Sequence, residues 1–421
     1  MLCFENINDN RLLSFRLISG DLMKYIILVG DGMGDYPIEQ LGNKTPLEIA
    51  KTPNLDKLTA VGKCGKLVTI PEDAAPESAL ANMSILGYDV SNFQGRGVLE
   101  AAAMGINIDE RDVAFRCNTI CVENGIIKNH SGGHISSKDS HELIKTIATK
   151  LGNEEIKFFP GVSYRHILIL KHQYSPDLIC TPPHDVPGMP FKDILVKAKN
   201  DAGEKTAELL NNLIIESKAI LDNHPVNIKR VEAGKDAANM IWPWAPGRKP
   251  VMKTFQERFG IKGAVISAVD LIRGLGIYAG FDVLDVEGAT GLYDTNYEGK
   301  ADACLTALET YDLLFVHVEA PDEASHQGDW KLKVKCIEDF DKRLVKRILD
   351  NLKDDIKLAV LTDHYNPISV RTHTREPVPF LIYDRNEEPD GIKNFTEDSF
   401  DGGSFGLLTG EEFIEIFLNG R

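Results

Sequence analysis

Three features that mark particular classes of protein are scarce in this sequence. The seven cysteines are odd in number and form no Cys-x-x-Cys pair, which disfavours a disulfide scaffold and predicts unpaired thiols in a reducing compartment. No apolar run approaches the roughly 20 residues that span a bilayer. Basic residues number 47 against 63 acidic ones, and the resulting net charge of −16 disfavours nucleic acid and anionic membranes as partners. We therefore expect a cytoplasmic protein.

The 421 residues suffice for two or three domains. Because a strong β-strand pattern begins directly after Met23, we interpret residues 1–22 as an N-terminal extension. The pattern of alternating strands and helices gives way to an α+β pattern near residue 108 and returns near Trp242. We predict a core of 23–107 and 236–421, with 108–235 inserted as a separate α+β domain.

Within the predicted core, short β-rich runs alternate with helical patterns, which is typical of a doubly wound, mostly parallel α/β sheet. Strands are predicted at 24–29, 264–267, 282–284, 313–318 and 356–361, and helices at 300–309 and 331–352. In such sheets, ligands collect at the carboxyl ends of the strands. Polar residues that directly follow these runs are therefore the first candidates for a functional site.

Three elements rich in Asp and His occur near the C-terminal end. Asp322 and His326 are four residues apart and would share one face of a helix, whereas Asp363 and His364 follow a predicted strand. His373 lies between two threonines. Carboxylates mixed with imidazoles suit Zn²⁺ or Mn²⁺ better than Ca²⁺. Any single pair could be a helix cap or a satisfied surface group, but three such elements together favour a metal site.

Two further candidates occur earlier in the chain. Asp31 follows the first predicted strand in a glycine-rich turn that is not a nucleotide-binding Gly-x-Gly-x-x-Gly motif. Ser78 lies at the predicted start of a helix, where backbone N–H groups and the helix dipole favour negative charge. The ordinary interpretation of Ser78 is an N-cap, and the alternative is a nucleophile.

Taken in order, these motifs resemble the alkaline phosphatase superfamily, and most closely its archaeal-type 2,3-bisphosphoglycerate-independent phosphoglycerate mutases. The resemblance runs from Met23 to the C-terminus and includes the segments 290–300 and 371–380. It implies an alkaline-phosphatase-like fold. It also implies an isomerase of glycolysis that interconverts 3-phosphoglycerate and 2-phosphoglycerate through a phosphoserine, without 2,3-bisphosphoglycerate.

The resemblance also implies roles for individual residues. Ser78 would be the nucleophile, and two divalent ions (Mn²⁺, Zn²⁺ or Mg²⁺) would be bound. One ion would be held by Asp31, Ser78, Asp363 and His364, and the other by Asp322, His326 and His373. The candidates for binding the small phosphorylated substrate are Lys300, Arg116, Arg165, His166 and Arg248, with Arg165 and His166 expected to form a cationic pair. A homo-oligomer is compatible with this interpretation.

The sequence departs from the family pattern around the nucleophile, where Glu77 and Ala79 flank Ser78 in place of Gly and Asp. A bacterial branch proposed to be a homoserine kinase is also similar to this chain, particularly at 163–166, 182–185 and 224–227. The acceptor of the phosphoryl group therefore stays open between glycerate and homoserine. All seven implied ligands are present, which argues against a non-catalytic interaction protein.

Overall fold

The structure, a computed structural model, describes residues 23–93, 95–352 and 356–420, so the extension predicted at 1–22 lies outside it. The described chain forms fifteen strands. They are β1 (Lys24–Gly30), β2 (Lys63–Val68), β3 (Val113–Glu123), β4 (Ile126–Asn129), β5 (Ile156–Phe159), β6 (Arg165–Leu170), β7 (Leu178–Ile179), β8 (Lys197–Ala198), β9 (Met240–Gly247), β10 (Gly263–Ile266), β11 (Asp282–Val283), β12 (Leu313–Val318), β13 (Ile356–Leu361), β14 (Val378–Tyr383) and β15 (Gly406–Thr409).

Fourteen α-helices are present in the same residues, and none of them combines the length and the apolarity needed to cross a bilayer. They are α1 (Pro46–Ile49), α2 (Pro53–Thr59), α3 (Ser78–Ile85), α4 (Arg96–Ala103), α5 (Ser137–Leu151), α6 (Asp201–Leu221), α7 (Pro225–Glu232), α8 (Phe255–Phe259), α9 (Asp270–Tyr278), α10 (Tyr297–Ala307), α11 (Ala320–His326), α12 (Trp330–Asp339), α13 (Lys346–Leu349) and α14 (Gly410–Asn419).

The helix predicted at 331–352 is interrupted by a π-helical stretch, Phe340–Val345, between α12 and α13. This stretch carries Asp341, whose buried carboxylate accepts hydrogen bonds from the backbone N–H groups of Asn54 (3.0 Å) and Leu55 (2.7 Å). Those groups belong to the first turn of α2 and have no partner within that helix. The π-helical stretch itself therefore supplies the cap for the first turn of α2.

Contacts divide the described chain into two units. The first contains 23–88, Thr254–Ala268 and 280–420, and its eight-stranded sheet has the order β11-β10-β12-β1-β13-β14-β2-β15. β14 runs antiparallel to both of its neighbours, and the other pairings are parallel. All residues of β12 and β13 are buried, as expected of central strands covered on both faces. The predicted mostly parallel α/β sheet is confirmed.

The second unit contains Asp89–Lys253 and Val269–Ala279. Its antiparallel sheet has the order β4-β3-β6-β5, and β9 also pairs with β3. A tight hairpin joins β3 to β4 through Asn124 and Gly125, whose φ angles of 51° and 80° suit the right-handed twist of the strands. Phe115 on β3 and Trp242 on β9 are buried in the apolar core of this unit.

The predicted insertion, 108–235, lies within the second unit, which also contains α4, β9 and α9. Helix α9 follows β10 in the sequence, yet it packs in the second unit against α4. The fit is so close that a Cβ atom added to Gly274 would lie 1.9 Å from the carbonyl oxygen of Leu99. Whether 108–235 is a domain by itself stays a prediction.

This contact predicts that Gly274→Ala destabilises the second unit. The added methyl group would meet backbone, which cannot move aside as a flexible side chain can, so we expect a loss of about 1–3 kcal/mol or more in the free energy of unfolding. Urea denaturation followed by tryptophan fluorescence measures it. Gly402→Ala is the control, because its nearest neighbour would be 3.9 Å away. Equal stability of the two variants would contradict the close packing of α9 on α4.

Candidate two-metal active site

Three adjacent parallel strands of the first unit, β12, β1 and β13, end at the same edge of the sheet. Asp31 directly follows β1, and Asp363 and His364 follow β13 within three residues. Helix α11, which begins two residues after β12, carries Asp322 and His326. The sheet topology therefore brings together residues that are up to about 330 positions apart in the sequence, as the carboxyl-end rule predicts.

A first cluster surrounds the carboxylate of Asp31. Its Oδ2 lies 3.1 Å from Nε2 of His317, and its Oδ1 lies 3.2 Å from Nε2 of His364. The same Nε2 atom of His364 is 3.0 Å from the hydroxyl oxygen of Ser78. Asp31, His317 and His364 are fully buried, whereas Ser78 is half-buried at the first position of α3. The candidate nucleophile thus lies at the more accessible side of this cluster.

Asp363 is held beside Asp31 by hydrogen bonds that fix both of its oxygens. Oδ1 accepts from the backbone N–H groups of Gly32 (3.1 Å) and His364 (2.9 Å). Oδ2 accepts from Nδ2 of Asn82 (2.8 Å), which also donates to the carbonyl oxygen of Ser78 (2.8 Å). Asn82 therefore ties the first turn of α3 to this carboxylate.

A second cluster surrounds Asp322. Its Oδ2 lies 3.1 Å from Nε2 of His326, one helical turn further along α11, and its Oδ1 lies 3.4 Å from Nε2 of His373. The two Nε2 atoms are 3.2 Å apart. Nδ1 of His326 lies 3.0 Å from the carbonyl oxygen of Arg371, to which it can donate only if it carries the proton. With Nδ1 protonated in this way, Nε2 of His326 can bind a metal ion once it has lost its own proton.

The acidity of these groups differs between the clusters. Burial, together with the charge of Asp322, raises the pKa of Asp31 well above its ordinary value, and burial raises the pKa of Asp363 to about 7. Burial also opposes ionisation of Asp322, but hydrogen bonds from His326 and His373 lower its pKa well below the ordinary value. The hydrogen bond to Asp322 in turn raises the pKa of His326 to about 9. The first cluster is thus short of positive charge, and the second is partly neutralised.

The residues of both clusters fit divalent metal ions. Neighbouring ligands of a tetrahedral ion with bonds of about 2.1 Å lie about 3.4 Å apart. In the two clusters, the histidine nitrogens lie 3.0 to 3.4 Å from the neighbouring carboxylate and hydroxyl oxygens and from each other. Both oxygens of Asp31 are buried without a hydrogen-bond partner despite their two histidine neighbours. A cation between these groups would satisfy the carboxylate and both imidazoles at once.

Sequence reasoning missed several residues of this region, including His317, Glu319, Asn82 and Asn366. His317 is the one histidine of an otherwise apolar β12, and that placement near the end of a central strand is the signal that was available. Glu319 lies within ligand distance of Asp31 and Asp322, and burial raises its pKa well above the ordinary value. The two asparagines carry no sequence signal, because their role depends on distant partners.

Lys300, the candidate for binding the substrate phosphate, is buried in the first turns of α10. Its Nζ donates to the carbonyl oxygen of His317 (2.8 Å), which places the ammonium group next to the first cluster. Burial lowers the pKa of Lys300 to about 8, although the nearby carboxylate of Glu319 opposes that shift. The lysine therefore still carries its charge near pH 7.

The other substrate-binding candidates lie in the second unit. Arg116 pairs with Glu100 (3.2 Å) and stacks over the ring of Trp244, and Arg248 donates to the carbonyl oxygen of Tyr174 (2.9 Å). Arg165 is exposed at the start of β6. For these three residues, a role in substrate binding stays a prediction.

His166 does not fit the cationic pair expected with Arg165. It is buried, and its Nδ1 accepts a hydrogen bond from the backbone N–H of Gly161 (3.1 Å). Burial lowers the pKa of His166 to about 3, so the ring is neutral near pH 7. The pair is therefore reduced to Arg165 alone.

The raised pKa of Asp363 predicts how the stability of the metal-free protein depends on pH. Between 3.8 and about 7, the folded state keeps a proton on this carboxyl and the unfolded chain has released it, so stability falls as the pH rises through this window. Asp363→Asn should flatten that decline by up to about 1.4 kcal/mol per pH unit.

Urea unfolding in the presence of a chelator, from pH 4.5 to 8, tests this expectation. Glu397, whose pKa burial raises to about 7, contributes to both curves and cancels in the difference. Wild-type protein saturated with Mn²⁺ provides a second comparison, because bound metal keeps the carboxylate ionised and removes the decline. Parallel curves for wild type and Asp363→Asn without metal would contradict the shift.

Comparisons with known proteins cover nearly the whole of the described chain. Residues 23–419 match the Metalloenzyme superfamily. The chain is 50% identical over 401 residues to a 2,3-bisphosphoglycerate-independent phosphoglycerate mutase of Methanosarcina acetivorans, covering 94% of this chain and 100% of that protein. It is 42% identical over 405 residues to a probable enzyme of the same name from Geobacter sulfurreducens, with coverages of 94% and 100%.

Solved structures give the same result. A protein of Pyrococcus horikoshii superposes with a TM-score of 0.81 at 30% identity, covering 94% of this chain and 97% of that one. The cofactor-independent phosphoglycerate mutase of Thermoplasma acidophilum superposes with a TM-score of 0.66 at 29% identity, with coverages of 94% and 99%. The chain therefore belongs to the archaeal-type 2,3-bisphosphoglycerate-independent phosphoglycerate mutase family of the Metalloenzyme superfamily.

Proposed function

We propose that this protein interconverts 3-phosphoglycerate and 2-phosphoglycerate through a phosphoserine at Ser78. The observation that carries the proposal is the position of the Ser78 hydroxyl, 3.0 Å from His364 at the accessible side of a buried cluster suited to a divalent ion. The rings of His364 and His373 stack with centroids 3.9 Å apart, so the second ligand set adjoins the first. A serine beside two such sets suits phosphoryl transfer.

Two divalent ions, Mn²⁺, Zn²⁺ or Mg²⁺, would be held by the two clusters. The first set is Asp31, Ser78, Asp363 and His364, with His317 in addition, and the second is Asp322, His326 and His373. Bound there, the ions would lower the pKa of the serine hydroxyl and offset the charge of the phosphoryl group.

The chain's own groups account for the remaining requirements. Ser78 is the first residue of α3, so a phosphoryl group on its oxygen would lie near the unpaired N–H groups of that helix. Lys300 contributes a buried positive charge next to the first cluster, where transferring oxygens carry negative charge. These features stabilise a phosphorylated serine more than a free one.

The proposed reaction balances without another reactant. The oxygen of Ser78 attacks phosphorus as the bond from phosphorus to the glycerate oxygen breaks, and the proton lost from the serine is matched by one gained by the glycerate. The other glycerate hydroxyl then attacks the phosphoserine and restores Ser78. Because each phosphoryl group returns to the same glycerate, 2,3-bisphosphoglycerate is not required.

We place this activity in the cytoplasm, which the six free cysteines among the described residues support. The alternative of a homoserine kinase finds no support in the relatives from Methanosarcina acetivorans, Geobacter sulfurreducens and Thermoplasma acidophilum, which are named as mutases. We therefore keep it only as an outcome of the activity assay.

The purified protein should convert 3-phosphoglycerate to 2-phosphoglycerate without added 2,3-bisphosphoglycerate, as followed by coupling to enolase. Removing divalent metal with a chelator should abolish the activity, because the serine hydroxyl then keeps its ordinary high pKa, and added Mn²⁺ should restore it. A parallel assay with homoserine and ATP should give no product. Phosphorylation of homoserine, with no conversion of phosphoglycerate, would overturn the proposal.

Ser78→Ala should lower kcat by a factor of about 10⁴ or more, since the covalent route is lost. Ser84→Ala is the matched control, because Ser84 lies on the same helix but is buried, with its hydroxyl donating to the carbonyl oxygen of Val68 (3.3 Å). It should retain the activity. Mass spectrometry of enzyme quenched with substrate should locate phosphate on Ser78. Phosphate on another residue, or an active Ser78→Ala enzyme, would rule out this nucleophile.

A further inference from the structure

A buried lysine of the first unit lies next to the second cluster, and the proposed mechanism does not use it. Lys333, on α12, is completely buried. Its Nζ donates to Oδ2 of Asp35 (2.8 Å) and to the carbonyl oxygens of Gly34 (2.9 Å) and Asn366 (3.0 Å). An ammonium group has three donors, so this side chain is fully satisfied and is not available to a substrate.

The acceptors of Lys333 belong to two loops that carry metal-site residues. Gly34 and Asp35 continue the loop that begins after β1 with Asp31, and Asn366 lies in the loop that begins after β13 with Asp363. The backbone N–H of Asn366 also donates to the carbonyl oxygen of Gly34 (3.2 Å). The lysine thus joins both loops to α12, the helix that follows α11 in the sequence.

Asn366 connects this arrangement to the second cluster. Its Nδ2 donates to Oδ1 of Asp322 (2.7 Å), while Oδ2 of Asp322 faces His326 at 3.1 Å. Asn366 is completely buried, and the carbonyl contact to Lys333 fixes its backbone. The amide therefore sets the rotation of the Asp322 carboxylate relative to the two histidines of the cluster.

We propose that Lys333 is a positioning residue that, through Asn366, holds the Asp322 carboxylate in the orientation that a divalent ion between His326 and His373 requires. The proposal rests on the proposed two-ion function. Groups that orient metal ligands from the outer shell typically change metal affinity 10- to 100-fold when they are replaced.

A gain in stability does not by itself explain the buried ion pair between Lys333 and Asp35. Removing two charges from water offsets most of their attraction, so buried pairs are often no more stabilising than apolar residues of similar size. Burial lowers the pKa of Lys333, and the charge of Asp35 opposes that shift. An apolar side chain could not donate hydrogen bonds to the carbonyl oxygens of two different loops, as Lys333 does. The proposal depends on this property.

The test is a Mn²⁺ titration of full-length Lys333→Met, followed by electron paramagnetic resonance and elemental analysis. Wild type should bind two ions, and in the variant one of the two should bind about 10- to 100-fold more weakly. Lys357→Met is the matched control, because Lys357 is also a buried lysine, bonded to the carbonyl oxygen of Ile416 near the opposite end of β13. The control should bind both ions as wild type does, whatever its stability.

Two ions bound with unchanged affinity by folded Lys333→Met would overturn the inference and leave the two-ion function intact. Fewer than two ions bound by wild type at saturation would instead refute the proposed function. If Lys333→Met fails to fold because Asp35 is left without its charge partner, the same Mn²⁺ titration is carried out on the double variant Asp35→Asn/Lys333→Met, which removes both charges.

A separate measurement tests whether Lys333 acts on Asp322 through Asn366. Asn366→Ala removes the hydrogen bond to Asp322 but keeps the carbonyl group that Lys333 contacts. If Lys333 acts through Asn366, Lys333→Met should weaken Mn²⁺ binding by less than about twofold in the Asn366→Ala background. Full additivity of the two losses would show that Lys333 does not act through Asn366.

Discussion

The structure depends above all on the placement of three carboxylates, those of Asp31, Asp322 and Asp363, in one buried region of the first unit. Like charges this close, away from water, repel one another strongly and cannot all be ionised unless cations lie between them. Burial, together with this repulsion, raises the pKa values of Asp31 and Asp363. The surrounding histidines, amides and helix ends are arranged around this excess of negative charge.

The two clusters meet this constraint differently. In the second, His326 and His373 donate to Asp322 and keep its pKa low, so its carboxylate is ionised before any metal arrives. In the first, the buried oxygens of Asp31 have no hydrogen-bond partner. An ion bound there must displace protons from the carboxyl groups, and one bound at the second site must displace the proton of His326, so the affinity of both sites will fall in acid.

The geometry needed for this chemistry comes from the rigid sheet. β12 and β13 are buried along their length, β1 is buried from Ile26 onward, and the three are bonded in parallel register. The residues that follow them therefore start from fixed positions. Hydrogen bonds then hold the loops that follow. Asn82 connects Ser78 to Asp363, and Lys333 connects the loops after β1 and β13. The proposed nucleophile and the two candidate ligand sets can therefore be in place before substrate binds.

The sequence by itself determined what depends on neighbouring residues. The central strands followed from short apolar runs, and Asp322 with His326 followed from the four-residue spacing of a helical turn. Ser78 at the start of α3 followed from the turn-rich segment before it. These features are local, and the carboxyl-end rule was enough to group them into one site.

Only the tertiary structure decided what depends on distant partners. His317, Asn82 and Lys333 act through contacts to residues 17 to 299 positions away, and no local pattern encodes such pairs. The burial that makes His166 neutral, and the packing of α9 in a unit separate from its neighbouring strands, arise in the same way. A pattern of residue types specifies which face of an element is buried, but the neighbours it meets there are fixed only when the whole chain has folded.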